Sequence, residues 1–102
     1  MNFNAKLHDY AILDLHTIEE YLSQYYPSTA RNFFDQLFNK IKLLESMPYM
    51  YPVYEEDPFF RKMVFLDYLI FYSIDEKLNQ LIIHRIIHSK RDINTAMFEN
   101  KG

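Results

Sequence analysis

The residues of this chain best suited to chemistry are cationic and lie in its second half. Arg61 and Lys62 open one apolar segment, and Arg85, His88, Lys90 and Arg91 lie on or just after another. Residues 59–102 hold seven Lys or Arg against five Asp or Glu, whereas residues 1–58 hold four against nine, so an anion-binding surface belongs to the second half even though the net charge is −3. Several cations and an imidazole on one surface would neutralise charge developing on a phosphate in transfer, and imidazole is the side chain that exchanges protons near neutral pH. In that arrangement His88 handles the proton and Arg61, Arg85 and Lys90 hold the substrate. A purely structural role competes with it, in which Arg61 and Arg85 pair with nearby acids such as Asp67 and Asp92.

Other chemistries find less support. His84 and His88 have the i, i+4 spacing that pairs metal ligands on a helix, but on a strand the same spacing separates them by roughly 13 Å. Their segment reads as a strand, so no metal and no cofactor is expected, and His8 and His16 each stand alone on a helix. A metal-dependent hydrolase would need chelator-sensitive activity. The chain has no Cys and its single Gly is Gly102, which excludes thiolate chemistry and the glycine-rich loops that cradle phosphates. Serines lack a nucleophile elbow. The pairs Glu19-Glu20 and Glu55-Glu56 read as solvated surface.

The elements that must position the cationic cluster follow from periodicity. Asn2 to Leu7 alternates apolar and polar residues as a half-buried strand does. From Asp9, a candidate N-cap, Ala11, Leu15, Ile18, Leu22 and Tyr25 recur in steps of three and four, and Pro27 closes that helix. Ser28 suits the N-cap of a second helix with the stripe Ala30, Phe34, Leu37, Ile41 and Leu44, ending near Ser46 before Pro48. Residues 48–58, with three prolines and the run Glu55-Glu56-Asp57, read as a surface loop. Phe59 to Leu66, Leu69 to Ile74 and Gln80 to His88 read as strands, with a turn over Asp75 to Asn79.

One domain of 102 residues therefore emerges, α+β in class, with the order β-α-α-β-β-β: an antiparallel sheet with an N-terminal helical hairpin packed on one face. Residues 92–102 are polar enough to be a short helix or a flexible tail. Nine Tyr and nine Phe exceed what a core of this size buries, so some are expected to face a partner or a groove. No apolar run approaches the length of a membrane span and no secretory signal opens the chain, so a soluble, cytoplasmic protein without membrane partners is expected.

Over residues 3 to 98 the segments resemble the RelE/ParE toxin superfamily, the toxins of type II toxin–antitoxin systems, also met as plasmid stabilisation proteins. Ala11, Asp14-Leu15, Ile18 and Tyr21-Leu22 carry the likeness in the first helix. Leu44, Met47-Pro48 and Pro52 follow the second. Arg61-Lys62-Met63-Val64, Tyr68-Leu69-Ile70-Phe71-Tyr72 with Ile74-Asp75, and Arg85 to Asp92 complete it. The resemblance implies a growth inhibitor silenced by a cognate antitoxin, acting either on ribosome-bound messenger RNA or on DNA gyrase. For a metal-independent messenger RNA nuclease it assigns Lys62 and Arg91 to the phosphate and leaves His88 for proton transfer. Leu69 and Phe98 stand where such nucleases often carry Arg and Tyr, so the set is incomplete. An antitoxin helix is expected along the hairpin at Leu15, Ile18, Leu22, Phe34 and Leu37, and an antitoxin strand at an open sheet edge. The alternative is a binding module that keeps the fold without toxicity.

Overall fold

A computed structural model describes residues 2–91 and residue 93. The elements are β1 (Asn4–Leu7), α1 (Asp9–Tyr25), α2 (Pro27–Ser46), β2 (Arg61–Phe65), β3 (Tyr68–Asp75) and β4 (Gln80–His88). The expectation for the C-terminal tail, the pairing role given to Asp92 and the position of Phe98 lie outside the described residues.

The sheet runs in the order β1-β4-β3-β2. β2, β3 and β4 form the antiparallel meander, while β1 joins β4 in parallel with Leu7 opposite Ile83, which makes the sheet mixed. β4 is thus flanked on both sides. Its aliphatic residues Leu81, Ile82, Ile83, Ile86 and Ile87, on either side of His84-Arg85, fit such a central strand with both faces covered.

Both helices cover one face of the sheet. α1 begins one residue earlier than composition suggested, with His8 as N-cap: its Nδ1 accepts the Tyr10 amide at 3.1 Å. α2 begins at Pro27, because a first-turn Pro sacrifices no hydrogen bond, and Tyr26 caps it without a side-chain bond. The buried stripe of α2 is Ala30, Phe33, Leu37 and Leu44. Phe33, and not Phe34, turns to the sheet, where it meets Phe65 and Tyr68 edge-on at 5.4 Å each. Tyr25 leaves the stripe of α1 and lies on the surface against Tyr21 at 5.2 Å.

The opposite face is covered by the proline-rich segment, which is more than a surface loop. Tyr54 and Phe60 pack over Phe71 and Ile87, joined by Leu69 and Ile93. Pro48 is buried and its carbonyl accepts the Tyr72 hydroxyl at 2.8 Å, and burial pushes that phenol up to about 12. The segment also guards the β2 edge: Val53 bridges Arg61, and the Lys62 amide donates to the Pro52 carbonyl at 3.1 Å.

A β-bulge interrupts β4. Pairing steps from Tyr72 with Ile83 to Phe71 with Arg85, leaving His84 inserted. Beyond Leu7, β4 also loses its strand neighbour on the β1 side, and α1 takes over. One Asp14 carboxylate oxygen accepts the Ile86 amide and Arg85 Nε, both at 2.8 Å, and the other accepts Arg85 Nη2 at 2.9 Å. The Arg85 side chain is 2% exposed and that of Asp14 10%. Removing one partner of such a pair strands a charge in the core at a cost of about 3–5 kcal/mol. Asp14→Ala should therefore lower the denaturant midpoint severely, while Asp14→Leu with Arg85→Met should recover much of the loss. Unchanged unfolding of Asp14→Ala would refute this account.

Candidate functional site

Where the helical hairpin meets the β2–β3 turn, the helix-side face opens into a cleft of about 890 Å³. α1 supplies Leu13, Thr17 and Tyr21 at four-residue spacing, which puts them on one side of the helix. Ile18, Leu22, Phe33 and Ile86 form an apolar floor. Tyr26, Thr29, Tyr68, Asp67, His88 and Arg91 complete the wall. An apolar interior with a few polar groups is the composition of a binding cleft.

His88 meets Tyr68 edge-on at 5.3 Å, and its Nδ1 accepts the Lys90 amide at 3.2 Å. A neutral ring held this way carries its proton on Nε2. The Arg91 amide donates to the His88 carbonyl at 3.0 Å, which keeps both residues at the cleft. Burial, with the nearby Asp67 carboxylate adding to it, raises the Tyr68 phenol and leaves it a hydrogen-bond donor at neutral pH.

Leu66 has φ 52°, left-handed backbone that costs a residue bearing a Cβ about 1–2 kcal/mol. The β2–β3 turn imposes it, since Phe65 and Tyr68 close the hairpin around only two residues. The result is a 57% exposed leucine at the cleft rim. Strain of this kind gathers at functional sites.

Of the residues that sequence placed in one basic cluster, the fold brings only His88 and Arg91 together in this cleft. Lys62 pairs with Phe71 and lies on the far face, its Nζ 5.6 Å from the centre of the Tyr54 ring. Arg61 is engaged within the protein: Nη1 donates to the Tyr51 carbonyl at 2.6 Å and the guanidinium lies over Tyr49 at 5.1 Å. Arg85, expected to bind substrate, is instead sealed against Asp14, an acid that sequence proximity did not suggest. Lys90 is exposed beside His88.

The hairpin residues expected to meet a partner also divide. Leu37 is fully buried and Ile18 and Leu22 nearly so, which makes them core. Leu15 and Phe34 are half-buried at a groove between the helices. Sequence reasoning gave no site role to Leu13, Thr17, Tyr21, Tyr68 or Leu66, although Tyr21 and Tyr68 carried part of the resemblance. A second apolar stripe at Leu13, Tyr21 and Tyr25, beside the buried one, was the available signal for α1; Leu66 had none.

The bulge sends His84 and His88 to opposite faces. His84 contacts Ser73 Oγ through Nε2 at 2.8 Å, stacks on His8 at 5.6 Å and lies edge-on to Phe60 at 5.0 Å. Burial, with the neighbouring His8, pulls it from 6.5 down to about 4. A base that weak, beside a Ser73 that is 4% exposed, is not an activated nucleophile pair. Among the described residues no group of three or more His, Cys, Asp or Glu side chains could hold a metal, and no helix is long and apolar enough to cross a membrane.

Two outcomes follow. The unfolded chain protonates His84 at higher pH than the folded one, so stability should fall as pH drops from about 6.5 to about 4. The loss should be about 1–2 kcal/mol once the ring's contact with solvent is discounted. His84→Phe should flatten that slope in thermal unfolding, and an unaltered slope would contradict the assignment. Leu66→Asn, which tolerates left-handed backbone, should raise stability by about 1 kcal/mol in the same measurement.

Residues 5–93 match the profile of a family described as ParE toxin of type II toxin-antitoxin system, parDE. No curated relative matches the sequence. The fold is similar to that of a chain in the chromosomal ParDE toxin–antitoxin system from P. aeruginosa, with a TM-score of 0.72 at 16% identity, covering 86% of this chain and 97% of that one. It is also similar to a chain of the toxin–antitoxin complex RelBE2 from Mycobacterium tuberculosis, with a TM-score of 0.61 at 19% identity, covering 86% and 99%.

Proposed function

Because the chain belongs to the ParE toxin family of type II toxin–antitoxin systems, we propose that it arrests growth by binding its target, as members directed at DNA gyrase do, and not by cutting messenger RNA. A cognate antitoxin holds it silent in the cytoplasm until that partner is lost.

The observation that carries this is the separation of Lys62 from His88 and Arg91. A nuclease using all three must bring them to one phosphate, within hydrogen-bond reach. Here the sheet lies between them, with Lys62 over Tyr54 and His88 in the helix-side cleft. Arg85 is already neutralised. The cleft that remains is walled by Leu13, Tyr21, Tyr26, Leu66 and Tyr68, aromatic and aliphatic groups of the kind that anchor protein partners. A net charge of −3 also suits a protein target better than a ribosome-bound RNA, whose phosphates favour cationic surfaces.

Induction of the chain alone, with messenger RNA integrity and DNA supercoiling assayed side by side, tests the proposal. Growth arrest with altered supercoiling and intact transcripts is expected, and Lys62→Ala should arrest growth within about twofold of the unaltered chain. Cleaved transcripts together with loss of arrest in Lys62→Ala would establish the nuclease instead. Harmless expression without any partner would sink the toxin and leave a binding module.

A further inference from the structure

The two outer edges of the sheet are covered differently. Along β1, α2 supplies the acceptors: the Phe3 amide donates to the Glu45 carbonyl and the Ala5 amide to Glu45 Oε2, both at 2.8 Å. Along β2 the cover stops half way. The proline-rich segment follows the strand only as far as the Lys62 amide, with Val53 bridging Arg61 and the Pro52 carbonyl accepting from Lys62. Beyond that point lie Val64, 63% exposed, and Leu66, 57% exposed.

Alternation decides which backbone groups are bare there. The Lys62 amide points outward to Pro52, so the Lys62 carbonyl and both backbone groups of Val64 point outward too, while Met63 and Phe65 bond to β3. The Phe65 carbonyl faces Tyr68 across the hairpin, and over a trans peptide the Leu66 amide therefore faces out. The open edge presents an acceptor at Lys62, a donor and an acceptor at Val64, and a donor at Leu66. Neither Pro nor a charged side chain interrupts Met63 to Leu66, and an edge without such protection is a template for a further strand.

We propose that this edge pairs with the same edge of a second copy of the chain, antiparallel about a two-fold axis through Val64. The two Val64 residues exchange both bonds, and each Leu66 amide donates to the Lys62 carbonyl of the other copy, so every bare group finds a partner. This register also absorbs two irregularities. An ordinary strand would set a carbonyl against the Lys62 amide, which Pro52 already holds. In a second copy that place falls to Leu66, whose left-handed backbone, φ 52°, turns its carbonyl out of the line. The axis stands perpendicular to the sheet, so the two four-stranded sheets become one with both helical hairpins on the same side. A pairing of only Lys62 to Leu66 buries less than a stable dimer needs, which puts its dissociation constant on the order of 0.1–1 mM. The inference uses the backbone edge alone and does not rest on the toxin reading.

Sedimentation equilibrium of the intact chain from about 10 µM to about 1 mM, with amide NMR shifts followed over the same range, tests this. Association should be reversible, and the Val64 and Leu66 amides should shift with concentration. Each copy carries −3, so added salt should tighten the association. Val64→Lys sets two cations face to face, and Val64→Pro removes the central donor at an edge position that tolerates Pro. Each should weaken association at least about tenfold and leave thermal unfolding nearly unaltered. Phe38→Glu on the hairpin should change nothing. A chain that stays monomeric at about 1 mM would overturn the proposal, as would association that persists in both Val64 variants or that Phe38→Glu abolishes. A monomer whose Val64 amide shifts only when antitoxin is added would overturn it too, and would give the edge to a strand of that partner.

Discussion

The contact between Asp14 and the end of β4 is the constraint on which the rest depends. A parallel strand only four residues long leaves the far half of β4 with a bare edge, and a buried bare amide is costly. One carboxylate answers two needs there, accepting the Ile86 amide in place of a strand carbonyl and neutralising Arg85. Because its oxygens are fixed on both sides, α1 is held in one register along the sheet. Everything α1 displays, from Leu13 and Tyr21 on one flank to Ile12 and Leu15 on the other, takes its position from that contact.

The β4 bulge acts on the same region from within the strand. An inserted His84 reverses the alternation, so that Ile86 and His88 turn towards the helices while Ile87 turns to the far face. Without it, His84 and His88 would share a face. The proline-rich segment then closes the far face, holding Lys62 over Tyr54 and Arg61 against the Tyr51 carbonyl. Cations that are neighbours in a strand diagram thus end in three different environments: a buried pair, a covered face and an open cleft. The proposed binding role rests on that separation, since the family fold alone does not choose a function.

Much of the fold was legible from local pattern. Period-two and period-3.6 apolar spacing reports which side of an element is dry, and Pro27 and Pro48 report where a helix must begin or stop. The misplacements were small and physical. Phe33 displaced Phe34 because neighbouring positions on a helix differ by about 100°, and only the positions of Phe65 and Tyr68 decide which ring packs better. Tyr25 fell outside the buried stripe and lies exposed against Tyr21 instead. The cleft was far less legible, since nothing around Leu13, Tyr21 and Tyr68 in the chain says that they meet across the helix-side face.

The sequence by itself determined the class of fold, the element order, the absence of thiolate and glycine-loop chemistry and the split of charge between the halves. These depend on residue type and spacing, which are local quantities. Only the tertiary structure decided that β1 runs parallel to β4, that Arg85 belongs to Asp14 seventy-one residues away, and that Lys62 and His88 are on opposite faces of the sheet. Pairing across such distances follows from how layers pack and where a bulge falls, and neither is encoded in the neighbourhood of the residues concerned. The cationic cluster that first suggested chemistry was an arrangement along the chain, and folding dispersed it.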